Sequence, residues 1–254
     1  MKRKPEVAPT IRWKGICAYD GTGFEGWQSQ PGGNTIQDIL ESRLAEILKG
    51  PLRIHGSART DSGVHAKHQV FHFDAAWSHP PDAFYRALRS ELPIGIQLKS
   101  LRRVPGGFHA LHSATGKRYI YRACEGQANP FETRYCWSLN CGPLNVDDMR
   151  LAAELLLGTH DFTAFSATGS SPDENPVKDL RQLEIRKRGR RLDFVVDGSG
   201  FLYRMVRRLV GTLYNVGLGR VAPDEMKYLL ENRKRVQVIY TAPACGLCLE
   251  NVFY

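Results

Sequence analysis

The sequence predicts an α+β fold in two halves with antiparallel sheets. Three observations lead there. Between Ile11 and Val104, alternating apolar segments and helix-period segments follow in the order β-α-β-β-α-β, that of a ferredoxin-like unit. The residues after Pro105-Gly106-Gly107 repeat that order loosely, in pattern and not in sequence. Finally, 254 residues with 42% hydrophobic and 10% aromatic content are enough for one large folded domain or two small ones. The expected division is 1–105 and 106–254.

In order, Ile11–Tyr19 alternates as a strand and ends at Asp20-Gly21. Gly21-Thr22-Gly23-Phe24-Glu25-Gly26 then matches the dinucleotide fingerprint letter for letter. A helix must open directly from those glycines, whereas Trp27-Gln28-Ser29-Gln30-Pro31-Gly32-Gly33 continues as loop, so no nucleotide cofactor is expected there. Asn34 or Thr35 caps a helix whose Ile36, Ile39, Leu40, Leu44, Ile47 and Leu48 share a face, and Gly50-Pro51 ends it. Strands near 52–57 and 69–74 flank the turn Gly56–Ala66. A helix after Pro80-Pro81 carries Phe84, Ala87, Leu88 and Leu92, and a strand near 96–104 completes a unit with one sheet face available to a ligand. In the second half, Lys117-Arg118-Tyr119-Ile120-Tyr121-Arg122 reads as a basic strand with interleaved aromatics. A helix is expected over 146–157, an aromatic-rich turn over 158–165 and an exposed loop over 170–176. A hairpin around 186–191, helices over 201–216 and 223–232, and a strand over 247–252 close the chain.

The formal charge of +9, from 35 Lys and Arg against 26 Asp and Glu, favours a polyanionic partner through counterion release at phosphates. Simple solubility is the plainer reading of the same balance. No run of about 18 apolar residues occurs, so no membrane span is expected. The start, Met1–Pro9, reads as a short basic tail and not a leader. Six cysteines without a secretory signal suggest reduced thiols and a cytoplasmic protein. Cys245 and Cys248 with Cys136 and Cys141 make a zinc set on paper. The pairs lie far apart, however, and Cys248 sits in an apolar strand, so core packing is expected and no metal.

The turn Gly56-Ser57-Ala58-Arg59-Thr60-Asp61-Ser62-Gly63-Val64-His65-Ala66 is the stretch on which chemistry would centre. A loop held by two strands places a carboxylate well enough to act, yet Asp before Ser-Gly is also an ordinary turn former. His65, His68 and His72 make a competing metal set for a hydrolase; His65 lies in the turn and no obvious carboxylate completes it. On spacing alone, Tyr119 is either a packing residue or a stacking platform. Arg207, at the margin of the apolar face formed by residues 201, 202, 205, 206, 209, 210 and 213, either reaches solvent or seeks a partner. Arg204 and Arg208 share the opposite side of that helix.

Arg59-Thr60-Asp61-Ser62-Gly63-Val64-His65-Ala66 resembles the catalytic motif of the TruA family, the tRNA pseudouridine synthases of the anticodon arm. Tyr19-Asp20-Gly21…Phe24…Gly26-Trp27-Gln28…Gln30 is similar to that family's opening motif. Phe108-His109-Ala110…Ser113-Ala114-Thr115…Arg118-Tyr119…Tyr121 and Met205-Val206-Arg207 match two further blocks, so the resemblance covers about Tyr19 to Tyr254. It implies that Asp61 is the nucleophile, that Tyr119 lies against the target uracil and that Arg207 pairs with the aspartate. It also implies that Arg59 steadies the flipped nucleotide or the space it leaves. Arg208 stands where the family usually has Asn, and Cys248 where an aromatic is common. The implied activity is isomerisation of uridine to pseudouridine at tRNA positions 38, 39 and 40, without cofactor or metal. The partners implied are tRNA, bound in a basic cleft between the halves, and a second copy of the chain in a homodimer. The rivals are a non-catalytic RNA-binding or tRNA-chaperone protein and a nuclease using Asp61 with the histidines.

Overall fold

A computed structural model describes residues 9–169, 175–232 and 239–254. Most of the loop expected over 170–176, and nearly all of the basic tail, lie outside them. The chain divides into two compact units, Met1–Ala114 with Tyr254, and Thr115–Phe253. The fold is α+β, with five α-helices among the described residues and, within each unit, described strand pairings that are antiparallel except between Gly116–Glu125 and Trp137–Leu139.

The first unit runs β1 (Thr10–Tyr19), α1 (Ile36–Leu48), β2 (His55–Gly56), β3 (His65–Ala76), α2 (Pro81–Arg89) and β4 (Ile96–Val104). Its antiparallel sheet has the order β4-β1-β3-β2. Alternation along β1 and β3 sends Trp13, Cys17, Tyr19, Phe71 and Phe73 to one face, all buried. There α2 inserts Phe84 edge-on to Trp13 and Phe73, at centroid distances of 5.0 and 6.0 Å. Thr35 caps α1 by accepting from the Asp38 N–H at 3.1 Å and donating its hydroxyl to the Asp38 carboxylate at 2.6 Å. The helix ends at Leu48, capped by Lys49 in the left-handed conformation (φ +60°) one residue before Gly50.

The two units divide after Ala114 and not at Pro105-Gly106-Gly107, because residues 106–110 are tied to the first sheet. Arg12 donates to the carbonyls of Gly106 and Phe108 at 2.6 and 2.9 Å, and the Ala110 N–H donates to His72 Nδ1 at 3.1 Å. The Lys14 ammonium lies 3.9 Å from the Tyr254 ring centroid and 4.8 Å from that of Phe108. The sheet face expected to be open is therefore covered over Lys14 and His72, both buried.

The second unit runs β5 (Gly116–Glu125), β6 (Trp137–Leu139), α3 (Val146–Glu154), β7 (Gly158–Asp161), β8 (Val177–Arg188), β9 (Arg191–Gly198), α4 (Met205–Gly217), α5 (Glu225–Asn232) and β10 (Leu247–Phe253). Its sheet order is β10-β5-β9-β8-β7, with β6 pairing parallel to β5. β10, β5, β9 and β8 repeat the order of β4, β1, β3 and β2. The helix expected from Phe201 begins only at Met205, because Arg204 adopts a left-handed backbone (φ +58°). Nearly every residue of α4 is buried, as expected of a helix walled in on all sides. Gly211 has no room for a side chain: a Cβ there would lie 2.0 Å from the Tyr240 carbonyl oxygen.

Candidate active site

Asp61 sits at the tip of the β2–β3 loop, half-buried, with Arg59 exposed two residues before it. The loop is fixed mainly by backbone groups and by one buried side chain. Gln69 of β3, fully buried, donates to the Ala58 carbonyl at 2.7 Å. Its own carbonyl accepts from the Ala58 N–H at 3.2 Å and the Ser57 hydroxyl at 2.8 Å. Because a buried amide left unmatched costs about 1–3 kcal/mol, these bonds specify one path for residues 57–58. On the far side of the turn, the Val64 N–H donates to the Asp61 carbonyl at 3.1 Å.

The glycine-rich segment after β1 forms the other wall. The Trp27 N–H donates to the Thr60 carbonyl at 3.0 Å, and the Ser62 hydroxyl donates to the Phe24 carbonyl at 3.0 Å. The Tyr19 and Thr60 hydroxyls are 2.8 Å apart, and the Gly21 N–H donates to His65 Nδ1 at 3.1 Å. Gly26, at φ +87°, approaches so closely that a Cβ would lie 2.6 Å from the Thr60 oxygen and 3.0 Å from the Asp61 carbonyl carbon. The segment that mimics a dinucleotide fingerprint is thus a backbone cradle for the Asp61 loop.

Tyr119 and Arg207 belong to the second unit. Tyr119 lies on β5, opposite Val196 of β9 and Leu249 of β10, 8% exposed. Phe201 meets its ring edge-on at 5.4 Å. Arg207 lies on the first turn of α4, half-buried, and its Nε donates to the Ala242 carbonyl at 2.7 Å. The Ala242 N–H returns a bond to the Arg207 carbonyl at 3.1 Å. A guanidinium anchored by Nε has its planar fork fixed in orientation. Arg208, on the side of the helix opposite the apolar face, is 7% exposed and donates to the Ser166 carbonyl at 2.5 Å. It is a structural link between α4 and the segment around Ser166.

No three metal-ligating side chains gather among the described residues. His65 and His72 each accept a backbone N–H on Nδ1, as above. Cys248 is buried in β10, and burial raises the Cys136 thiol to about 11, which disfavours the thiolate a zinc ion would need. Of the residues that position the loop, sequence reasoning missed Gln69, which immediately precedes the apolar run Val70, Phe71, Phe73. It also missed the wall formed by Gly26.

Comparison with known proteins shows the family. The sequence profile of the tRNA pseudouridine synthase family matches residues 16–111 and 152–254. The tRNA pseudouridine synthase A of Bacillus subtilis is 42% identical over 247 residues, covering 96% of this chain and 99% of that protein. That of Halalkalibacterium halodurans is 43% identical over 232 residues, 91% of this chain and 88% of that protein. That of Lysinibacillus sphaericus is 40% identical over 245 residues, 96% and 99% of the two chains. A Cbf5-Nop10-Gar1 complex is a remote structural neighbour, with a TM-score of 0.34 and 11% identity over 82% of this chain and 45% of that one. With the profile matched across most of the chain, and relatives this similar over their full lengths, the chain belongs to the tRNA pseudouridine synthase family, isomerases that convert uridine in tRNA to pseudouridine.

Proposed function

We propose that this enzyme acts on uridines 38, 39 and 40 of the anticodon stem-loop, with Asp61 as its nucleophile and no cofactor or metal. The observation that carries this reading is the Asp61 loop itself. Gln69, Trp27 and Gly26 hold its backbone from both sides, so the carboxylate is placed before substrate arrives. The reaction breaks the C1′–N1 bond, turns the uracil, joins C5 to C1′ and releases the proton from C5. As nucleophile, Asp61 adds at C1′ or at C6 of the base, and either route needs its ionised form.

The uridine must first leave the stack. Tyr119 is the platform for the flipped uracil, a role supported by its buried ring set edge-on to Phe201. Arg207 is the cation that pairs with the Asp61 carboxylate, a role supported by the anchoring of its guanidinium through Nε. Arg59 steadies the flipped nucleotide, consistent with its exposed place on the same loop. A homodimer in the cytoplasm, holding each tRNA across both copies, belongs to the same reading. So do two ferredoxin-like halves and a basic cleft; the repeated strand order supports the halves.

The test is tritium release from tRNA transcripts carrying 5-tritiated uridine. Release by the native enzyme, abolished in Asp61→Asn while tRNA binding persists, is the expected result. Binding without release by the native enzyme would favour a tRNA chaperone. Release that survives Asp61→Asn would remove Asp61 from the mechanism.

A further inference from the structure

The tip of the β8–β9 hairpin carries five cations in six positions: Arg186, Lys187, Arg188, Arg190 and Arg191, interrupted by Gly189. Gly189, at φ +57°, makes the two-residue turn possible and sets Arg188 directly opposite Arg191. Like charges paired across strands destabilise a hairpin, so a tip that served only as a turn would gain from losing one of them. Three of the five cations are neutralised by carboxylates of this unit. Arg186 pairs with Glu184 at 2.7 Å, Lys187 with Glu125 at 2.8 Å, and Arg191 with Glu132. None of these ion pairs uses Arg188 or Arg190, both exposed.

Beside the tip lies a second unusual feature. The Glu125 N–H donates to the Arg190 carbonyl at 2.8 Å, and Glu132 brings the turn 129–135 against Arg191. That turn is firmly built. Asn129 accepts from the Phe131 N–H on its side chain at 2.8 Å, and from the Glu132 and Thr133 N–H groups on its carbonyl at 2.9 and 3.1 Å. Yet it presents Phe131 91% exposed and Tyr135 42% exposed. An aromatic held out in water beside exposed arginines that take no part in those three ion pairs fits one chemistry well. Phosphodiester oxygens take the cations and an unpaired base stacks on the ring.

We propose that the hairpin tip 188–191 and the turn 129–135 form a second RNA-binding surface, which grips the substrate RNA backbone with Arg188 and Arg190 and an unstacked base with Phe131. This rests on the tRNA-modifying reading above and adds a contact outside the residues assigned to the reaction. The surface supplies affinity and register without base readout.

The experiment compares full-length wild type with Arg188→Ala/Arg190→Ala and with Phe131→Ala, measuring affinity for an unmodified tRNA transcript between 50 and 200 mM salt. Losing two phosphate contacts removes about 0.7–0.9 each from the slope of log affinity against log salt. Wild-type affinity should therefore fall about tenfold further than the double variant's across that range. Phe131→Ala should bind at least about fivefold more weakly at constant salt. The double variant should melt no lower than wild type, because Arg188 and Arg190 are exposed and take no part in the three ion pairs of the tip. Equal affinities and equal salt slopes in folded variants would overturn the proposal. Tritium release is followed in parallel with saturating enzyme. A wild type that shows the steep slope but releases no tritium supports the surface while refuting the isomerase reading. Release with an unchanged slope does the reverse.

Discussion

Gly26→Ala tests the idea that backbone contact, more than any side chain, aims Asp61. At φ +87° an alanine costs about 1–2 kcal/mol in backbone strain. Its Cβ would also stand 2.6 Å from the Thr60 oxygen and 3.0 Å from the Asp61 carbonyl carbon. Restoring ordinary contact displaces the Thr60–Asp61 peptide by about 0.5–1 Å and weakens the Trp27 N–H bond to Thr60, for about 1 kcal/mol more. The expected stability loss is about 2–3 kcal/mol, or about 4–12 °C in Tm. A shift of that size at the reacting group should lower the single-turnover rate of tritium release by about a hundredfold at saturating enzyme, with tRNA affinity nearly unchanged. Gly33→Ala is the control. It carries the same kind of strain at φ +69° with nothing within 4 Å of the added Cβ, so Tm should fall while the rate does not. If both variants melt lower and both keep the full rate, the Gly26 wall does not set the position of Asp61.

Gln69→Ala leaves the Ala58 backbone and the Ser57 hydroxyl unmatched in the core; circular dichroism should show about 2–4 kcal/mol less stability, and tritium release should slow with it. Gly211→Ala drives a methyl to 2.0 Å from the Tyr240 oxygen, so the Arg207–Ala242 bonds must part, and we expect both a lower Tm and a lower rate at fixed tRNA concentration. Burial, with His109, Arg12 and His55 nearby, holds His72 neutral down to about pH 4. The unfolded chain takes up that proton near pH 6.5, so the stability from His72 is complete above pH 6.5 and is lost as pH falls towards 4, by at most about 3 kcal/mol. Urea melts from pH 7 to 4.5 should therefore fall more steeply for wild type than for His72→Gln, and parallel curves would contradict this account.

Much of the architecture was legible along the chain because it is written in near neighbours. The period-two runs of β1 and β3, a cap at Asn34 or Thr35, of which the structure selects Thr35, and the strand–turn–strand setting of Asp61 need only local periodicity and turn chemistry. The strand over 96–104 appeared as read, and the helix starting at Val146 was three residues shorter than expected. The motif around Asp61 pointed to the family before any coordinate did.

Tertiary structure decided what depends on distant backbone. Residues 106–114 join the first unit because Arg12 and His72 capture their backbone groups. Arg208 is buried because the carbonyl of Ser166, 42 residues away in sequence, lies within its reach. Gln69 and Gly26 matter because the chain folds the 57–62 loop between them, Gln69 bonding to Ala58 and Gly26 lying against Thr60 and Asp61. Periodicity assigns a residue to a face, but only the packed chain decides which carbonyl or amide stands opposite, and buried hydrogen bonds and close contacts are settled at that range.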